Sequence, residues 1–395
     1  MPDVSVVGIG ADGWPGLSPA AQALLREADV LMASRRQLAL LPDLVRGERV
    51  PWPSPLMPAL PGLLESRRGR RLCVLASGDP MHYGIGAAVL RVLGPDNVTV
   101  LPAASSISLA CARLGWAMED IEVVGLVGRP TDLLNPHITP GRRILILGAA
   151  AATVAGILSS RGYEASRLTV LEELGGPGER VTRGTASSPW APSDRLAIVA
   201  VECIGDALLP AVPGLPDDAY VHDGQLTKRE VRAITLARLA PAPGQLLWDV
   251  GAGAGSIAIE WMRTHPSCRA VAVECDPARA ARVRENSLSL GVPALSIVEG
   301  VAPAALAGLP APDAIFVGGG VTEPGMVEAC WAALSPGARL VANAVTLESE
   351  AVVTAWHAKH GGDLTRIEVS RAGAVGGFTA WRPALPVVQW SAVRG

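Results

Sequence analysis

Three alternating glycines in the second half of the chain follow a short apolar stretch and precede an amphipathic one. The letters LLWDV, which contain Asp249, are followed by Gly251, Gly253 and Gly255. Glycine permits a tight turn and lets a ligand approach the backbone closely. A second acid, Glu274, ends the next apolar stretch, 23 residues beyond Gly251. An acid at this interval binds the ribose hydroxyls of adenosine in nucleotide-binding folds, so the pattern predicts a site for an adenosine-containing cofactor.

The spacing of this loop distinguishes between two such cofactors. A dinucleotide site usually has the spacing G-x-G-x-x-G, because its pyrophosphate lies at a helix N-terminus. Here the spacing is G-x-G-x-G after an acid, which resembles the loop of S-adenosylmethionine methyltransferases. The later letters LSPGARLVANAV resemble the segment around the fifth strand of the same enzymes. The predicted contacts are Gly251, Ala252, Gly253, Ala254, Gly255 and Glu274.

A second glycine loop lies near the start of the chain. The letters VSVVGIGADGW contain Gly8, Gly10 and Gly13 in the dinucleotide spacing. The acid expected of a dinucleotide site is missing, because the next apolar stretch ends in a serine and two arginines and Asp29 precedes that stretch. A site for NADP would use Arg35 on the 2′-phosphate instead. An NADP-linked oxidoreductase fused to a methyltransferase therefore stays open as an alternative.

The elements that position these loops follow an α/β pattern in both halves. In the first half, Ser18 and Pro19 predict a helix start, and the letters SRRQ from Ser34 have capping-box spacing. The apolar stretches towards the end of this half predict mixed strands. The second half predicts a doubly wound sheet with an antiparallel edge, closed by a hairpin of LTRIEVSRA and PVVQWSAV. Its predicted parallel strands are Leu246–Val250, Ala270–Glu274, Leu295–Val298, Ala314–Val317 and Arg339–Ala344.

A proline-rich stretch lies between the two halves. Pro210, Pro213 and Pro216 are spaced three apart and two aspartates follow them, which favours an extended and exposed connection. We therefore predict a first domain at 1–207, a linker at 208–222 and a second domain at 223–395. After the linker, the letters TKRE predict a capping box with Thr227 as N-cap and Glu230 at the third helical position.

Composition excludes several classes of protein. The formal net charge is −3, whereas a duplex-binding protein usually needs a strongly basic surface, so no nucleic-acid partner is expected. No apolar run is long enough to span a bilayer, and the N-terminus has no signal-peptide pattern. The six cysteines form no C-x-x-C pair, which predicts buried thiols in the cytoplasm. His357 and His360 have helical spacing without an acid, so we expect surface histidines and no metal site.

Motifs spread over residues 1–202 resemble one family. The letters VVGIGADGWPGLSPAAQALLREADVLMASRR, LASGDPMHYGIG and LPAASSISLACARLGW occur in this order. They are similar to the glycine loop, the G-D-P turn and the P-G/A-x-S/T-S/A pattern of the tetrapyrrole methylase family. The resemblance implies a two-lobed α/β fold that binds S-adenosylmethionine in a cleft between its lobes. The contacts it implies are Gly8, Gly10, Ser77, Gly78, Asp79, His82, Ser105, Ser106 and Leu147.

The second half resembles the decarboxylating precorrin methyltransferases. The letters LTKREVRAITLARL, AVECDPARAARVRENSLSLGV and DAIFVGGGV carry this likeness, together with the glycine loop. It implies a Rossmann-like methyltransferase fold and adds Thr227 and Ala302 to the cofactor contacts. A fusion of both modules resembles the bifunctional precorrin methyltransferase family of aerobic cobalamin synthesis. That family implies two S-adenosylmethionine sites, methylation of a reduced precorrin-6 at C5 and C15, and decarboxylation of the ring C acetate to give precorrin-8. We also expect a homo-oligomer.

Methyl transfer to such a macrocycle needs positioning more than a strong base, because its meso carbon is already nucleophilic. The sequence accordingly shows no catalytic triad. The tetrapyrrole substrate carries many carboxylates, which arginine and lysine at the rim of a cleft would bind. The candidate substrate residues are Arg129, Lys228, Arg229, Arg232 and Arg371. A non-catalytic S-adenosylmethionine sensor is the remaining alternative.

Overall fold

The computed structural model describes residues 4–210 and 212–395. Packing divides the chain into two compact units. The first contains the residues up to Arg129 together with His137–Ala207, and the second contains Pro130–Pro136 and Leu208–Gly395. Within the described residues, no helix combines the length and the apolar character that crossing a membrane requires.

The first unit contains a five-stranded parallel sheet with apolar side chains packed on both faces. Its strands are β1 (Val4–Ile9), β2 (Val30–Ala33), β3 (Glu48–Pro51), β4 (Leu72–Ser77) and β5 (Val98–Leu101), in the order β3-β2-β4-β1-β5. Its helices are α1 (Pro19–Glu27), α2 (Arg35–Ala39), α3 (Leu56–Glu65), α4 (Ile85–Leu93) and α5 (Ser106–Leu114). Ser18 caps α1 and Ser34 forms a capping box with Gln37, so both predicted helix starts are confirmed.

A second sheet in the same unit has mixed strand directions. It contains β6 (Ile121–Gly125), β7 (Arg143–Leu147), β8 (Arg167–Glu172), β9 (Arg180–Thr185) and β10 (Ala197–Glu202), with α6 (Ala151–Ser159) between β7 and β8. Their order is β6-β7-β10-β8-β9. Strands β6 and β7 are parallel, whereas β10 is antiparallel to both of its neighbours. These two sheets confirm the two-lobed α/β architecture that the resemblance implied.

The second unit is built on a seven-stranded sheet. Its strands are β11 (Leu246–Val250), β12 (Arg269–Glu274), β13 (Ser296–Glu299), β14 (Ala314–Val317), β15 (Arg339–Ala344), β16 (Asp363–Ile367) and β19 (Val387–Val393), in the order β13-β12-β11-β14-β15-β19-β16. Its helices are α7 (Arg229–Leu239), α8 (Ser256–Thr264), α9 (Pro277–Ser289), α10 (Met326–Ala333) and α11 (Leu347–His360). The first five strands are parallel and β19 is antiparallel to its neighbours, which confirms the doubly wound sheet with an antiparallel edge.

The predicted closing hairpin is wrong in one respect. The letters LTRIEVSRA do not form one strand, because the chain leaves the sheet at Glu368 and Val369. The remainder forms β17 (Ser370–Val375), which pairs with β18 (Phe378–Pro383) in a separate two-stranded sheet. Phe378 and Trp381 of this hairpin are mostly exposed, so the two-stranded sheet buries neither side chain.

The expectation of surface histidines is also wrong. His360 packs against Trp331 and Trp356, with both ring centroids at 4.7 Å from its own. Burial and the neighbouring Lys359 and Arg394 lower the pKa of His360. Both histidines lie on α11 and are half-buried, and His360 packs against the aromatic residues.

The stretch before α7 is not the exposed connection that its prolines suggested. Leu215 is completely buried and Tyr220 is 4% exposed, and both pack in the core of the second unit. The backbone amides of Gly214 and Leu215 donate to the buried Glu260 carboxylate at 2.6 and 3.0 Å. The burial of these two side chains and the hydrogen bonds to Glu260 therefore fix the position of this stretch, which contains the short 3-10 helix Asp217–Ala219.

Candidate functional site

In the first unit, the candidate cofactor residues meet at the carboxyl edge of the parallel sheet. Gly8 lies in β1, and Gly78 directly follows β4, the neighbouring strand. An added Cβ at Gly8 would lie 2.6 Å from the Ala103 backbone nitrogen and still closer to the Gly78 carbonyl. The turn from Ala103 leads to Ser105, which is buried and caps α5. The backbones of the first glycine loop and the G-D-P motif thus pack against each other at Gly8 and Gly78. This close packing requires glycine at position 8.

The G-D-P turn links this edge to the second sheet of the unit. Asp79 accepts a hydrogen bond from the Met81 amide at 2.8 Å and shapes the turn that carries His82. The Tyr83 hydroxyl donates to the Val123 carbonyl at 3.3 Å, and a Cβ at Gly125 would lie 2.7 Å from the Tyr83 ring. The turn therefore lies against the end of β6, next to the strand that ends in Leu147.

The remaining candidates of this unit differ in their contacts. Ser77 ends β4, and its hydroxyl accepts hydrogen bonds from Arg36 at 3.1 Å and Gln37 at 3.2 Å. At Gly10, an added Cβ would lie 2.5 Å from an Asp12 carboxylate oxygen. Ser106 is the first residue of α5, next to the Ser105 cap. The structure thus brings the candidates from the first sheet to one edge.

The strand order of this sheet does not favour the NADP hypothesis. In a dinucleotide-binding fold the second strand lies directly beside the first. Here β4 lies between β1 and β2, so Arg35 follows a strand roughly 10 Å away from β1, at about 4.8 Å per strand. Asp29, the acid that precedes β2, is paired with Arg71 at 2.9 Å.

In the second unit, the glycine loop has the geometry that its spacing predicted. Gly251, Gly253 and Gly255 all have positive φ angles, at 72°, 59° and 75°. A Cβ at Gly251 would lie 2.8 Å from the Gly319 nitrogen at the end of β14, and one at Gly253 would lie 2.8 Å from the Gln225 carbonyl. Backbone atoms of other segments therefore lie close to the loop on both sides. A side chain at Gly251 or Gly253 would fill the space between them.

Glu274 lies at the end of β12 beside this loop and is 3% exposed. Its carboxylate accepts hydrogen bonds from the Gly253 amide at 2.8 Å and the Asp276 amide at 3.0 Å. Asp276 caps α9 through the amides of Ala278 and Arg279. Glu274 thus orients the loop and offers the two oxygens that a ribose diol needs.

If the second unit binds S-adenosylmethionine as its loop predicts, we expect Glu274→Ala to weaken binding there about ten- to hundredfold, because a hydrogen bond to a charged group is worth about 1.5–3 kcal/mol. Binding at the first site should not change. Calorimetry on the full chain measures both sites in one sample. The control is Glu299→Ala, an exposed acid directly opposite Glu274 in the sheet. Equal affinities of the two variants at the second site would show that Glu274 holds no cofactor.

Asp249 is a buried carboxyl group at the end of β11. Its Oδ2 accepts from the Ala258 amide at 3.0 Å, and its Oδ1 has no hydrogen-bond partner within the described part of the chain. Burial raises the pKa of Asp249 to about 7, and the negative charge of Glu274 acts in the same direction. A buried carboxyl group without a full set of partners costs stability and is typical of functional sites.

The pH dependence of stability tests this interpretation of Asp249. Between the ordinary pKa of 3.8 and about 7, the folded protein holds a proton that the unfolded chain has released. Stability contributed by this group therefore falls as pH rises through that window. We expect the free energy of unfolding of Asp249→Asn, relative to the parent, to increase from about pH 5 to about pH 8. Urea unfolding at several pH values measures it, and a pH-independent difference would contradict the prediction.

Two further cofactor candidates lie at the edges of this site. Ala302 is buried in the loop after β13, and the amide of Gly300 in the same loop donates to the Glu274 carbonyl at 3.0 Å. Thr227 is half-buried just before α7. Its predicted capping role is wrong, because Lys228 is the N-cap residue and the Glu230 side chain pairs with Arg371 instead. The helix begins one residue later than the capping pattern required.

The structure separates the candidate substrate residues into two groups. Arg232 is completely buried and pairs with Glu260 at 2.6 Å, so its predicted place at a cleft rim is wrong. The others have side chains that reach solvent. Lys228 lies 3.9 Å from Asp217, and Arg129 donates to the Gly125 carbonyl at 3.0 Å. Arg229 is exposed at the start of α7, and Arg371 lies on β17.

Sequence reasoning missed Asn286, which contacts the glycine loop from α9. It is 1% exposed and donates to the Ala254 carbonyl at 3.0 Å. Asparagine is a poor helix former, so its place inside a thirteen-residue helix was the available signal.

Two family models match the chain, one in each half. Residues 3–189 match the tetrapyrrole (corrin/porphyrin) methylases, and residues 218–394 match the precorrin methyltransferase domain. A relative from Sinorhizobium sp, named precorrin-6Y C(5,15)-methyltransferase [decarboxylating], is 49% identical over 100% of this chain and 97% of its own length. The chain belongs to the precorrin-6Y C(5,15)-methyltransferase (decarboxylating) family.

Two shorter relatives each align with about half of this chain. The cobalt-precorrin-7 C(5)-methyltransferase of Salmonella typhimurium is 29% identical and aligns with 50% of this chain and 98% of its own length. The probable cobalt-precorrin-6B C(15)-methyltransferase (decarboxylating) of Pyrobaculum calidifontis is 34% identical and aligns with 45% of this chain and 94% of its own length. By their names, these proteins each have one of the two activities that the family name combines.

Proposed function

We propose that this chain methylates a reduced precorrin-6 at C5 and C15 and removes the carboxylate of the ring C acetate as carbon dioxide, giving precorrin-8 in cobalamin synthesis. The observation that carries the proposal is the full-length match to a relative whose name states both methylations and the decarboxylation. The methyl donor would be S-adenosylmethionine at two sites, one in each unit.

The residues of the second unit fit this cofactor. Glu274 would accept hydrogen bonds from the ribose hydroxyls of the cofactor, and the backbone of Gly251–Gly255 would lie against the remainder of the cofactor. Ala302 and Thr227 would complete the contacts on either side. When bound, the sulfonium supplies an electrophilic methyl group. The neutral form of Asp249 that burial favours keeps a second negative charge away from Glu274 in the free protein.

In the first unit, the cofactor would contact the edge formed by Gly8, Gly10, Gly78 and Ser105. Asp79 and His82 lie on the adjacent turn, and Ser77, Ser106 and Leu147 would complete the site. The close backbone packing of Gly8 against Gly78 and the hydrogen bond from the Gly78 amide to the Ile9 carbonyl at 3.0 Å support a fixed edge here.

The residues at these sites would act by orientation and exclusion of water. A meso carbon of the reduced macrocycle is enamine-like, so the transfer needs in-line placement more than proton removal. Exposed cations would bind the acetates and propionates of the substrate through charge-assisted hydrogen bonds. Lys228, Arg229 and Arg371 are the candidates in the second unit, and Arg129 in the first.

We propose that the two activities are divided between a first domain at 1–207 and a second domain that starts at 208, although packing groups Pro130–Pro136 with the second unit. Leu209 packs against the core of the second unit, and the Pro210 carbonyl accepts a hydrogen bond from Arg263 at 3.3 Å, so a cut after Pro213 would separate both residues from their partners. The cut belongs between Ala207 and Leu208. The first fragment should then methylate C5, and the second should methylate C15 and release carbon dioxide.

We expect a homo-oligomer in the cytoplasm. The exposed β17–β18 hairpin supports self-association, because Phe378 and Trp381 are 83% and 74% exposed and large exposed apolar residues favour an interface. All six cysteines are free thiols, five of them buried, which suits a reducing compartment.

Calorimetry on the full chain with S-adenosylmethionine and with NADPH tests the proposed cofactors. We expect two S-adenosylmethionine sites per chain and no NADPH binding. A single S-adenosylmethionine site in a fully folded sample would contradict the two-site proposal, and NADPH binding would support the oxidoreductase alternative. A sensor would bind S-adenosylmethionine without turning over a precorrin.

A further inference from the structure

A segment that precedes α7 lies directly over the second glycine loop. We define the strap as Gly214–Gln225. Its end approaches the loop so closely that a Cβ at Gly253 would lie 2.8 Å from the Gln225 carbonyl oxygen. The position of Gln225 therefore sets the space above the loop, where a cofactor would approach the backbone.

Asp223 determines the position of Gln225. Its Oδ1 accepts a hydrogen bond from the Gln225 amide at 3.1 Å. Its Oδ2 accepts hydrogen bonds from Arg279 at 3.1 Å and Arg282 at 2.6 Å, and both arginines belong to α9. These three donors hold the pKa of Asp223 well below its usual range, so the carboxylate is charged at neutral pH. One side chain thus connects α9 to the end of the strap.

Asn286 connects the same helix to both the strap and the loop. Its Oδ1 accepts from the Val221 amide at 2.8 Å. Its Nδ2 donates to the Val221 carbonyl and to the Ala254 carbonyl, both at 3.0 Å. The carboxamide is buried, and both of its ends are engaged. Helix α9 begins directly after Glu274 and its Asp276 cap, so these anchors and the candidate ribose acid belong to one continuous piece of chain.

We infer that Asp223 and Asn286 are positioning residues of the second cofactor site, which hold the strap at a fixed position relative to the glycine loop. The inference rests on the proposed function, since it concerns the S-adenosylmethionine site of that unit. Helix α9 places three parts of the site together: the acid before it, the loop through Asn286 and the strap through both anchors. Loss of an anchor lets Gln225 move relative to Gly253 and weakens cofactor binding without touching the reacting atoms.

The first test compares Asp223→Ala with Asp218→Ala in the full chain. Asp218 is an exposed acid of the same strap that forms no ion pair in the part of the chain that the structure describes. Asp223→Ala should lower S-adenosylmethionine affinity at the second site about three- to tenfold, the loss of a few hydrogen bonds at a partly exposed position. Asp218→Ala should bind as the parent does. Because both positions reach solvent, both variants should fold.

Kinetics separate positioning from a structural role. Asp223→Ala should raise the KM for S-adenosylmethionine in the decarboxylating half-reaction while kcat at saturating cofactor stays near the parent value. Asp223→Asn retains the acceptor for the Gln225 amide and should restore part of the affinity. Hydrogen exchange of the Tyr220–Gln225 amides should be faster in Asp223→Ala than in Asp218→Ala.

Asn286→Asp is the second variant. It has nearly the same shape and keeps the acceptor for the Val221 amide, but it places an oxygen against the Ala254 carbonyl. We expect it to weaken the second site more than Asp223→Ala does, with the first site unchanged. If the parent binds S-adenosylmethionine at the second site and neither variant differs from Asp218→Ala, the inference is overturned. If the parent itself shows no second site, the proposed function fails instead.

Discussion

A Gly253→Trp enzyme is expected to lose the release of carbon dioxide and C15 methylation while it retains methyl transfer to C5. Gly253 has a φ of 59° and faces the Gln225 carbonyl, so the indole would occupy the space between loop and strap. The first unit has its own sheets and its own candidate site, and we expect that site to be unaffected. Mass spectrometry of the product detects the missing decarboxylation directly.

The control for this prediction is Gly244→Trp. Gly244 also has a positive φ, at 86°, but an added Cβ there would have no heavy atom within 4 Å among the described residues. Gly244→Trp therefore introduces the same kind of backbone strain as Gly253→Trp, but away from the candidate cofactor site. A Gly253→Trp enzyme that releases carbon dioxide as fast as the Gly244→Trp enzyme would contradict the assignment of this loop.

Arg232→Met is expected to destabilise the second unit by roughly 3–5 kcal/mol, because it leaves a buried carboxylate without its cation. Arg232 and Glu260 are 0% and 3% exposed and lie 2.6 Å apart. The guanidinium also donates to the Thr227 carbonyl at 2.6 Å and to the Leu215 carbonyl. Urea unfolding monitored by tryptophan fluorescence measures the change.

Two comparisons make the result specific. The double variant Arg232→Met with Glu260→Gln removes both charges and should recover part of the lost stability. Arg229→Met changes an exposed arginine of the same helix and should alter the free energy of unfolding little. Burial and the Glu260 carboxylate hold the pKa of Tyr220 well above its usual value, so its hydroxyl remains a donor to Glu260 in all variants that keep the acid. Equal stability of Arg232→Met and Arg229→Met would contradict the prediction.

Local chemistry explains why the arrangement of the candidate residues in the second unit could be predicted from the sequence. Gly251–Gly255 and Glu274 lie at strand ends that apolar letters mark, and parallel strands bring those ends to one edge. Ser18, Ser34 and Asp276 cap helices because each is a short polar residue directly before a helical stretch. At these positions the residue type and its neighbours in sequence were sufficient to predict the local structure.

Tertiary packing explains what the sequence did not reveal. Arg232 resembles any surface arginine until Glu260, 28 positions later, is placed beside it. The prolines around Gly214 suggested an exposed connection, whereas Leu215 and Tyr220 determine its burial. The anchors Asp223 and Asn286 act through partners that are distant in sequence. Each of these depends on contacts between elements, which no local pattern contains.

The mass of the macrocycle after reaction tests the central proposal most directly. The full chain is incubated with a reduced precorrin-6 and S-adenosylmethionine, and the product is analysed by mass spectrometry. The account predicts a product that has gained two methyl groups and lost one carbon dioxide. A macrocycle of unchanged mass, from protein shown by calorimetry to bind S-adenosylmethionine at both sites, would contradict it.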